Sequence, residues 1–544
     1  MNKPDFARYF PHDDLTSLLN EYVDAFPQLA SLESIGRSYE GRDIWALTVS
    51  NTATGDPTEK PGFYVDGNIH GSEVTASVTA LYWAWTLLSG HGNDDDITRL
   101  VDECAFYIIP TVSPDGVELV LKGGGHVRSG TRMYPHDEPR DGLHPEDING
   151  DGQILQMRIE DPGGGWKVSG KDPRLLVERR FNDTNGPFYR VLPEGLVQNF
   201  DGVEPKLAPN KQGLDFNRNF PANWEPRSTQ SGSGEYPFSE SETRALAEFI
   251  TSHPNIHSLH CLHTGMESII RPPATQTDKE MPREDLNRVT EIGKLGVDHT
   301  DYVLFSYRKL NDDIYVAHGD FATWTYEQLG LIVFCCELWD IRARSGKDYV
   351  ELNEMNKERD LDGLEEVEAA ALKWNDETLD GEAFVDWTPF DHPQLGEVEI
   401  GGWKRLYRNN APPSLLEETC EKMARFLKAH AEAYPRLRAD IHETEEIGDN
   451  VYRIAIAARN DGYLPTNVTQ QAIKMKEAKP VTASIEVGDG DEVLVGDTRQ
   501  EIGHINGYGG RRKVEWTVRF ADKPTAKIEI AGDKAGVVRL EFAV

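Results

Sequence analysis

Two kinds of hydrophobic pattern divide the chain into two parts and limit the folds it can adopt. Residues 481–487, 514–520 and 538–542 alternate apolar with mostly polar side chains, which is the period of half-buried β-strands. Turn sequences such as NDG at 460–462 separate these segments, and no helical period appears between them. We therefore predict that residues 439–544 form a separate all-β sandwich.

The preceding part, residues 1–438, has the pattern of an α/β domain. Apolar runs at 62–66, 105–109 and 332–336 indicate buried strands, and the long apolar run at 74–88 indicates a helix after the first of them. Strands that alternate with helices favour a largely parallel sheet.

Two stretches within residues 1–438 interrupt this pattern. Residues 129–212 are rich in Gly, Pro and Asp, and residues 341–400 are acidic and mixed, and neither has a sustained period. Long segments of this kind are typical of insertions. We expect both to lie on the surface of the first domain.

Charge excludes several classes of partner. The chain has 57 Lys and Arg against 92 Asp and Glu, a formal net charge of −35. A surface this negative repels phosphate backbones and anionic headgroups, so we expect neither nucleic-acid nor membrane binding. Five dispersed cysteines and the absence of a signal-like start favour a cytoplasmic protein, although a trimmed secreted form stays open.

The sharpest local motif is His70-Gly71-Ser72-Glu73, placed where a predicted strand ends and a helix begins. An imidazole and a carboxylate that converge from these positions supply two of the three protein ligands of a catalytic zinc. The alternative is a surface histidine followed by a glutamate that complements the helix dipole.

Further blocks decide between these interpretations. In order along the chain they are IGRSYEGR at 35–42, IPTVSPDG at 109–116, GLDFNRNF at 213–220, LHT at 262–264, IY at 314–315 and FCCEL at 334–338. Together with His-x-x-Glu they resemble the zinc carboxypeptidases related to carboxypeptidase A, in a bacterial-type form with insertions and a C-terminal β-domain. The resemblance covers residues 30–340 and implies a mixed, mostly parallel sheet with helices on both faces.

Carried over residue by residue, the resemblance implies one zinc ion per chain, held by His70, Glu73 and His263. Three other histidines compete for the third position, namely His253, His257 and His260. Glu337 ends an apolar run and matches the family's catalytic glutamate, which takes a proton from zinc-activated water. The alternative for Glu337 is a salt-bridged residue at the end of a strand.

Substrate contacts also follow from the resemblance. It implies that Asn217 and Arg218 bind the terminal carboxylate of a peptide, and that Tyr315 closes over the substrate. Arg128 matches the arginine that polarises the scissile carbonyl, with Arg132 as the rival assignment. Several positions depart from the family pattern: Ser72, Ser113, Thr264 and, at the base of the side-chain pocket, Ala322.

A calcium-loop motif lies inside the first insertion. Asp147, Asn149 and Asp151 follow the D-x-[DN]-x-[DN]-G spacing of a calcium loop. The twelfth position is Arg158 instead of a bidentate glutamate. The segment is therefore either a calcium site completed from outside the pattern or an Asx-rich turn without an ion.

The leading hypothesis is a zinc metallocarboxypeptidase that acts on peptide or protein C-termini. One rival keeps the same zinc site but cleaves another amide, such as a cell-wall γ-D-glutamyl link. A rival of another class is a binding module with a vestigial site. The presence of His70, Glu73, His263 and Glu337 argues against it.

Overall fold

The computed structural model describes residues 1–313, 316–522 and 524–544, and its first part alternates strands with helices. The predicted strand at 62–66 and the helix that follows it are both present. The elements are α1 (His12–Ala25), β1 (Ala30–Arg37), β2 (Asp43–Val49), β3 (Gly62–Gly67), α2 (Val74–Gly90), α3 (Asp95–Glu103), β4 (Ala105–Ile109) and α4 (Pro114–Gly123).

The first predicted insertion contains short strands. They are β5 (Gly142–Pro145), β6 (Gln156–Glu160), β7 (Trp166–Val168), β8 (Leu176–Glu178), β9 (Phe188–Pro193) and β10 (Gly195–Gln198).

The chain then completes a central eight-stranded sheet. The additional elements are α5 (Ser241–Ser252), β11 (Ile256–His263), β12 (Glu267–Arg271), α6 (Arg283–Thr300), β13 (Val303–Ser306), α7 (Tyr307–Asp313), α8 (Phe321–Glu327) and β14 (Ile332–Leu338). The strand order is β1-β2-β4-β3-β11-β14-β12-β13. Its central strands β4, β3, β11 and β14 are mutually parallel, while β2 and β12 pair antiparallel with this group. The sheet is therefore mixed, with a parallel centre.

The second insertion joins the first one. Its elements and those that follow are α9 (Tyr349–Glu358), α10 (Leu361–Thr378), β15 (Phe384–His392), β16 (Gly396–Trp403), α11 (Arg405–Asn409) and α12 (Pro413–Ala431). β16 pairs with β6, which gives a six-stranded sheet of order β15-β16-β6-β9-β7-β8. Leu155, Met157 and Ile400 form part of a separate small core there. The two insertions are thus one substructure, which no local period reveals because the pairing strands lie far apart in sequence.

Neighbouring residues of β3 show that helices cover both faces of the central sheet. Phe63 contacts His430 of α12, with ring centroids 5.2 Å apart. Tyr64 contacts Phe249 of α5 at 6.5 Å and Phe321 of α8 at 6.3 Å. Because successive strand residues point to opposite faces, α12 lies on one face and α5 and α8 lie on the other.

The C-terminal part forms two four-stranded antiparallel sheets, in the orders β17-β18-β22-β20 and β21-β19-β23-β24. Its elements are β17 (Leu437–Gly448), β18 (Val451–Asn460), α13 (Gln470–Met475), β19 (Val481–Glu486), β20 (Glu492–Val495), β21 (Arg499–Gly503), β22 (Gly510–Arg519), β23 (Thr525–Gly532) and β24 (Gly536–Ala543). Trp516 is fully buried between the sheets. The short helix α13 departs from the all-β pattern predicted for this part.

These elements confirm the predicted fold class: an α/β part with a mixed sheet and flanking helices, followed by an all-β part. Within the described ranges, no helix combines the length and the hydropathy needed to cross a membrane.

Candidate active site

The parallel centre of the sheet brings three candidate residues to one edge. His70 follows β3, His263 ends β11, and Glu337 lies near the end of β14. His263 and Glu337 are direct partners in the β11–β14 register. Carboxyl ends of parallel strands are where α/β sheets bind their ligands.

Three side chains converge there in a buried group. The Nδ1 atom of His70 lies 2.8 Å from Oε1 of Glu73, and Nδ1 of His263 lies 3.0 Å from Oε2 of the same carboxylate. The two Nδ1 atoms are 3.1 Å apart. Two imidazoles and one carboxylate are a ligand set of catalytic zinc sites, which keep a fourth position for water. The donors of this chain therefore fit zinc.

The competing histidines lie elsewhere. His260 pairs with His430, their ring nitrogens 2.7 Å apart, while His257 contacts Ser258 and His253 contacts the carbonyl of Phe249. Among the four histidines considered, the structure brings His263 to His70 and Glu73.

Asp215 supports this group, although the motif analysis did not assign it a role. Its Oδ1 lies 3.2 Å from Nε2 of His70, and its Oδ2 accepts a 2.9 Å bond from Nε of Arg128. Burial raises the pKa of Asp215, but Arg128, Arg218 and His70 outweigh that effect and hold the pKa well below its usual value. A carboxylate on the outer nitrogen of a ligating histidine fixes the orientation of the ring. The feature of the sequence that points to Asp215 is its place in the GLDFNRNF block.

Arg128 and Arg132 have different surroundings. Arg128 also donates from Nη1 to Oε1 of Glu73, at 3.3 Å. Arg132 instead bonds both oxygens of Glu240, at 2.9 and 2.7 Å, and reaches Glu235. The geometry thus places Arg128, and not its rival, beside the three converging side chains.

Glu337 differs from Glu73 and Asp215 because one of its oxygens is unpaired. Oε2 is buried and has no hydrogen-bond partner within the described part of the chain. Burial raises the pKa of Glu337 well above its ordinary value, and the nearby charge of Glu73 raises it further. A buried glutamate with a raised pKa can both accept and return a proton.

Asn217 and Arg218 lie on a short 3-10 turn that begins at Asp215. Oδ1 of Asn217 accepts a 2.8 Å bond from the backbone N–H of Phe321, which anchors the turn to α8. Arg218 lines a cavity of about 420 Å³ together with Arg128 and Asp215. The predicted substrate residue Tyr315 lies outside the described residues.

The calcium motif forms a self-contained turn. Asp147 accepts bonds from the backbone N–H groups of Gly150 and Gly152, at 2.7 and 2.8 Å. Asn149 likewise accepts from the backbone of Asp151, at 2.9 Å. These contacts are those of an Asx-rich turn. The described residues give the predicted calcium ion no support.

Two cysteines lie against the metal group. Cys261 and Cys335 are paired in the β11–β14 register, and together with His263 they place three donor atoms within 4.8 Å of one another. The apolar neighbours of the two cysteines in sequence predict core residues only. The sequence does not reveal that both thiols lie beside His263.

Comparison with known proteins identifies the family. A profile described as zinc carboxypeptidase matches residues 15–354, and one of a domain of unknown function matches residues 436–543. The chain belongs to the zinc carboxypeptidase family. The recognition made from the motif blocks is thereby confirmed.

Relatives within the zinc carboxypeptidase family are distant. Carboxypeptidase A1 of Mus musculus is 22% identical over 340 residues, covering 62% of this chain and 64% of that protein. Carboxypeptidase M of Mus musculus is 30% identical over 127 residues, covering 23% and 29%. Our chain thus spans less than two thirds of the length of the carboxypeptidase A1 relative.

Several solved structures are also similar to this chain. Thrombin activatable fibrinolysis inhibitor is 19% identical, with a TM-score of 0.40 over 62% of this chain and 67% of that one. Carboxypeptidase A from Helicoverpa armigera is 16% identical, with a TM-score of 0.40 over 67% and 73%.

Proposed function

We propose that this chain is a zinc-dependent carboxypeptidase that hydrolyses the C-terminal peptide bond of peptides or proteins. The observation that carries the proposal is the convergence of His70, Glu73 and His263 beside Glu337, whose Oε2 atom is buried and unpaired. Family membership supports the same chemistry.

His70, Glu73 and His263 would hold the zinc. When bound, zinc supplies a Lewis acid that lowers the pKa of water and polarises a carbonyl. Glu337 takes a proton from the water that attacks the scissile carbonyl and returns it to the leaving amine, so that no net proton is consumed.

The arginines act on the substrate's oxygens. Arg128 donates to the carbonyl oxygen as negative charge develops on it, which is the role that typically contributes most to such reactions. Arg218 pairs with the terminal carboxylate in the small cavity, where a planar guanidinium can bond both oxygens. Asn217 adds an amide donor to the same group. Tyr315 completes the proposal as the residue that closes over the substrate.

A peptide library tests this proposal. Mass spectrometry of products should show single residues released from free C-termini, no cleavage of the same peptides amidated at the C-terminus, and loss of activity after chelation that zinc restores. Internal cleavage, or equal action on amidated peptides, would contradict exopeptidase activity. Release from γ-D-glutamyl fragments alone would favour the cell-wall amidase, and zinc binding without any hydrolysis would favour a vestigial site.

Two other expectations stay predictions. They are the cytoplasmic location and the division into domains 1–438 and 439–544. Neither affects the chemistry proposed for the site.

A further inference from the structure

A second, larger cavity opens beside the candidate active site. Its volume is about 1400 Å³, and its walls come from three sources: the segments around Ser72 and Arg128, the joint sheet of the two insertions, and the region of α10 and α11. Arg128 is the one residue shared between the linings of this cavity and the small cavity that contains Arg218. Arg128 therefore lies where the two spaces meet.

The charge of this large cavity is opposite to that of the chain. Ten of its lining residues are Lys or Arg, three are Glu and none is Asp. The whole chain has 57 basic and 92 acidic residues. A random sample of this sequence would give an acidic lining, so the described residues that line the cavity are more basic than the chain as a whole.

Several of these cations are already neutralised. Arg174 pairs with Asp172 and Asp376, and Arg408 pairs with Glu368. Arg405 differs from them. No carboxylate oxygen of the described residues lies within 4.0 Å of it, and its side chain is exposed at the wall of the cavity. An exposed guanidinium without a counter-charge can bond both oxygens of a carboxylate that enters the cavity.

The segment that carries Arg405 is held against the turn of the metal group by its other residues. Asn410 donates to the carbonyl of Ser72 at 2.9 Å and accepts from the N–H of Thr75 at 3.0 Å, and these two residues lie one position before and two positions after Glu73. The carbonyl of Tyr407 accepts a 3.1 Å bond from Nε1 of Trp339. Segment 405–410 is thus fixed against the metal turn and the end of β14.

Arg405, Arg128 and His126 all line the large cavity. Burial lowers the pKa of His126 to about 3, with the charges of Arg405 and then Arg128 as the next causes. The imidazole is therefore neutral and adds no further positive charge to the lining.

We propose that the large cavity binds acidic side chains that precede the scissile bond, with Arg405 as the residue that recognises the carboxylate. This inference rests on the proposed carboxypeptidase function and names its substrate class. If Arg218 holds the C-terminal residue in the small cavity, the rest of the peptide leaves past Arg128 into the large one. Acidic residues just before the C-terminal residue then meet Arg405.

Matched peptides test the inference. We would measure kcat/KM for capped tetrapeptides that share one C-terminal residue, namely the residue that the peptide library shows to be released best. Each peptide carries Glu, Gln or Lys at one of the two positions before that residue. The Glu peptide should be cleaved about tenfold faster than the Gln peptide at one or both positions, and the Lys peptide slowest. Arg405→Met should lower kcat/KM for Glu about tenfold and for Gln less than about twofold, because only Glu loses a charged partner.

Arg512→Met is the matched control, because this exposed arginine lies in the sandwich on β22. It removes the same charge and should leave every ratio unchanged. A wild-type enzyme that treats Glu and Gln alike, or an Arg405→Met variant that loses both equally, overturns the inference. If the wild type cleaves none of the peptides, the proposed function fails instead. Calorimetry then measures whether the protein binds the Glu peptide more tightly than the Gln peptide, and whether this preference depends on Arg405.

Discussion

The two edges of the parallel sheet are built in opposite ways. At the carboxyl edge, Glu337 and His263 each leave a buried polar atom without a hydrogen-bond partner in the described chain. At the amino edge, Asn255 and His257 also leave one such atom each, but here the C-terminal part supplies charged and polar partners to the strands. Lys534 donates to the carbonyl of Ile256 at 2.9 Å, and Thr469 donates to that of Gly330 at 2.7 Å.

The amino edge receives contacts near the start of each central strand. Residues just before β3 and β4 are paired as well, through Arg539 with Glu59 and Arg438 with Glu103. Contacts from residues 434–544 therefore precede all four central strands. An unpaired buried polar group lowers stability by about 1–3 kcal/mol. The contacts at the amino edge therefore offset part of the stability lost at the carboxyl edge. These contacts place the C-terminal part at the edge of the sheet opposite to the one that carries His263 and Glu337.

The largest expected difference between the edges concerns two glutamates. Glu337→Gln should lower kcat about 10²–10⁴-fold, because the proton acceptor is removed. Zinc content and thermal stability should not fall, since burial already disfavours the charged form of Glu337. Steady-state kinetics, metal analysis and thermal unfolding measure these effects.

Glu103→Gln is the counterpart at the amino edge. It weakens a partly exposed ion pair in which Nη2 of Arg438 lies 2.8 Å from both carboxylate oxygens. Stability should drop by no more than about 1 kcal/mol, with kcat unchanged. If Glu103→Gln reduced kcat, or Glu337→Gln left it intact, the functional contrast between the edges would be wrong.

A smaller expected difference between the edges concerns zinc affinity, and one aspartate at each edge tests it. Asp215→Asn keeps the shape of the side chain but removes the charge that faces His70 and Arg128. Zinc affinity should fall about 10–100-fold, as is typical when the partner of a ligating histidine is lost. Competition with a chromophoric chelator measures the affinity.

Asp285→Asn is the control from the other edge. Asp285 is fully buried and accepts from the backbone N–H groups of Gln470 and Gln471, at 2.7 and 3.0 Å. Its variant should lose about 1–3 kcal/mol of stability with zinc affinity unchanged. Equal zinc affinities for wild type and Asp215→Asn would remove Asp215 from the metal site.

How far the sequence predicts this molecule depends on how local each signal is. The alternation at 481–487 and 514–520 predicts strands because each strand buries one face against its own sheet. The motif around His70 is equally local, and the blocks that resemble the family name the residues that the structure brings to it. The structure shows where these residues lie, while their roles stay proposals.

What the sequence does not reveal is long-range. β6 and β16 pair across some 240 residues, as in the contact between Arg158 and Glu399, so neither insertion alone shows a strand period. The segment of Arg405 is also placed by a long-range contact, since Asn410 donates to the carbonyl of Ser72. The docking of Lys534 against β11 has no local signature either, since a lysine in a turn is ordinarily solvated.

That lysine gives a further prediction at the amino edge, a change in stability with pH. Burial lowers the pKa of Lys534 to about 8, below the value of about 10.4 expected in the unfolded chain. Between these two values the unfolded chain binds a proton that the folded chain does not, so the contribution of Lys534 to stability rises with pH. Below about pH 8 both states bind the proton, and the cost of burying the charge is present in full.

The difference in free energy of unfolding between wild type and Lys534→Met should therefore increase from about pH 8 to pH 10, by up to about 1.4 kcal/mol per pH unit. Denaturant unfolding at several pH values measures it. Lys527→Met, at an exposed position on β23, should show a constant difference over the same range. If the two variants gave parallel pH profiles, the amine of Lys534 would be hydrated, and the amino edge would be less tightly closed than its contacts with Ile256 and Pro254 indicate.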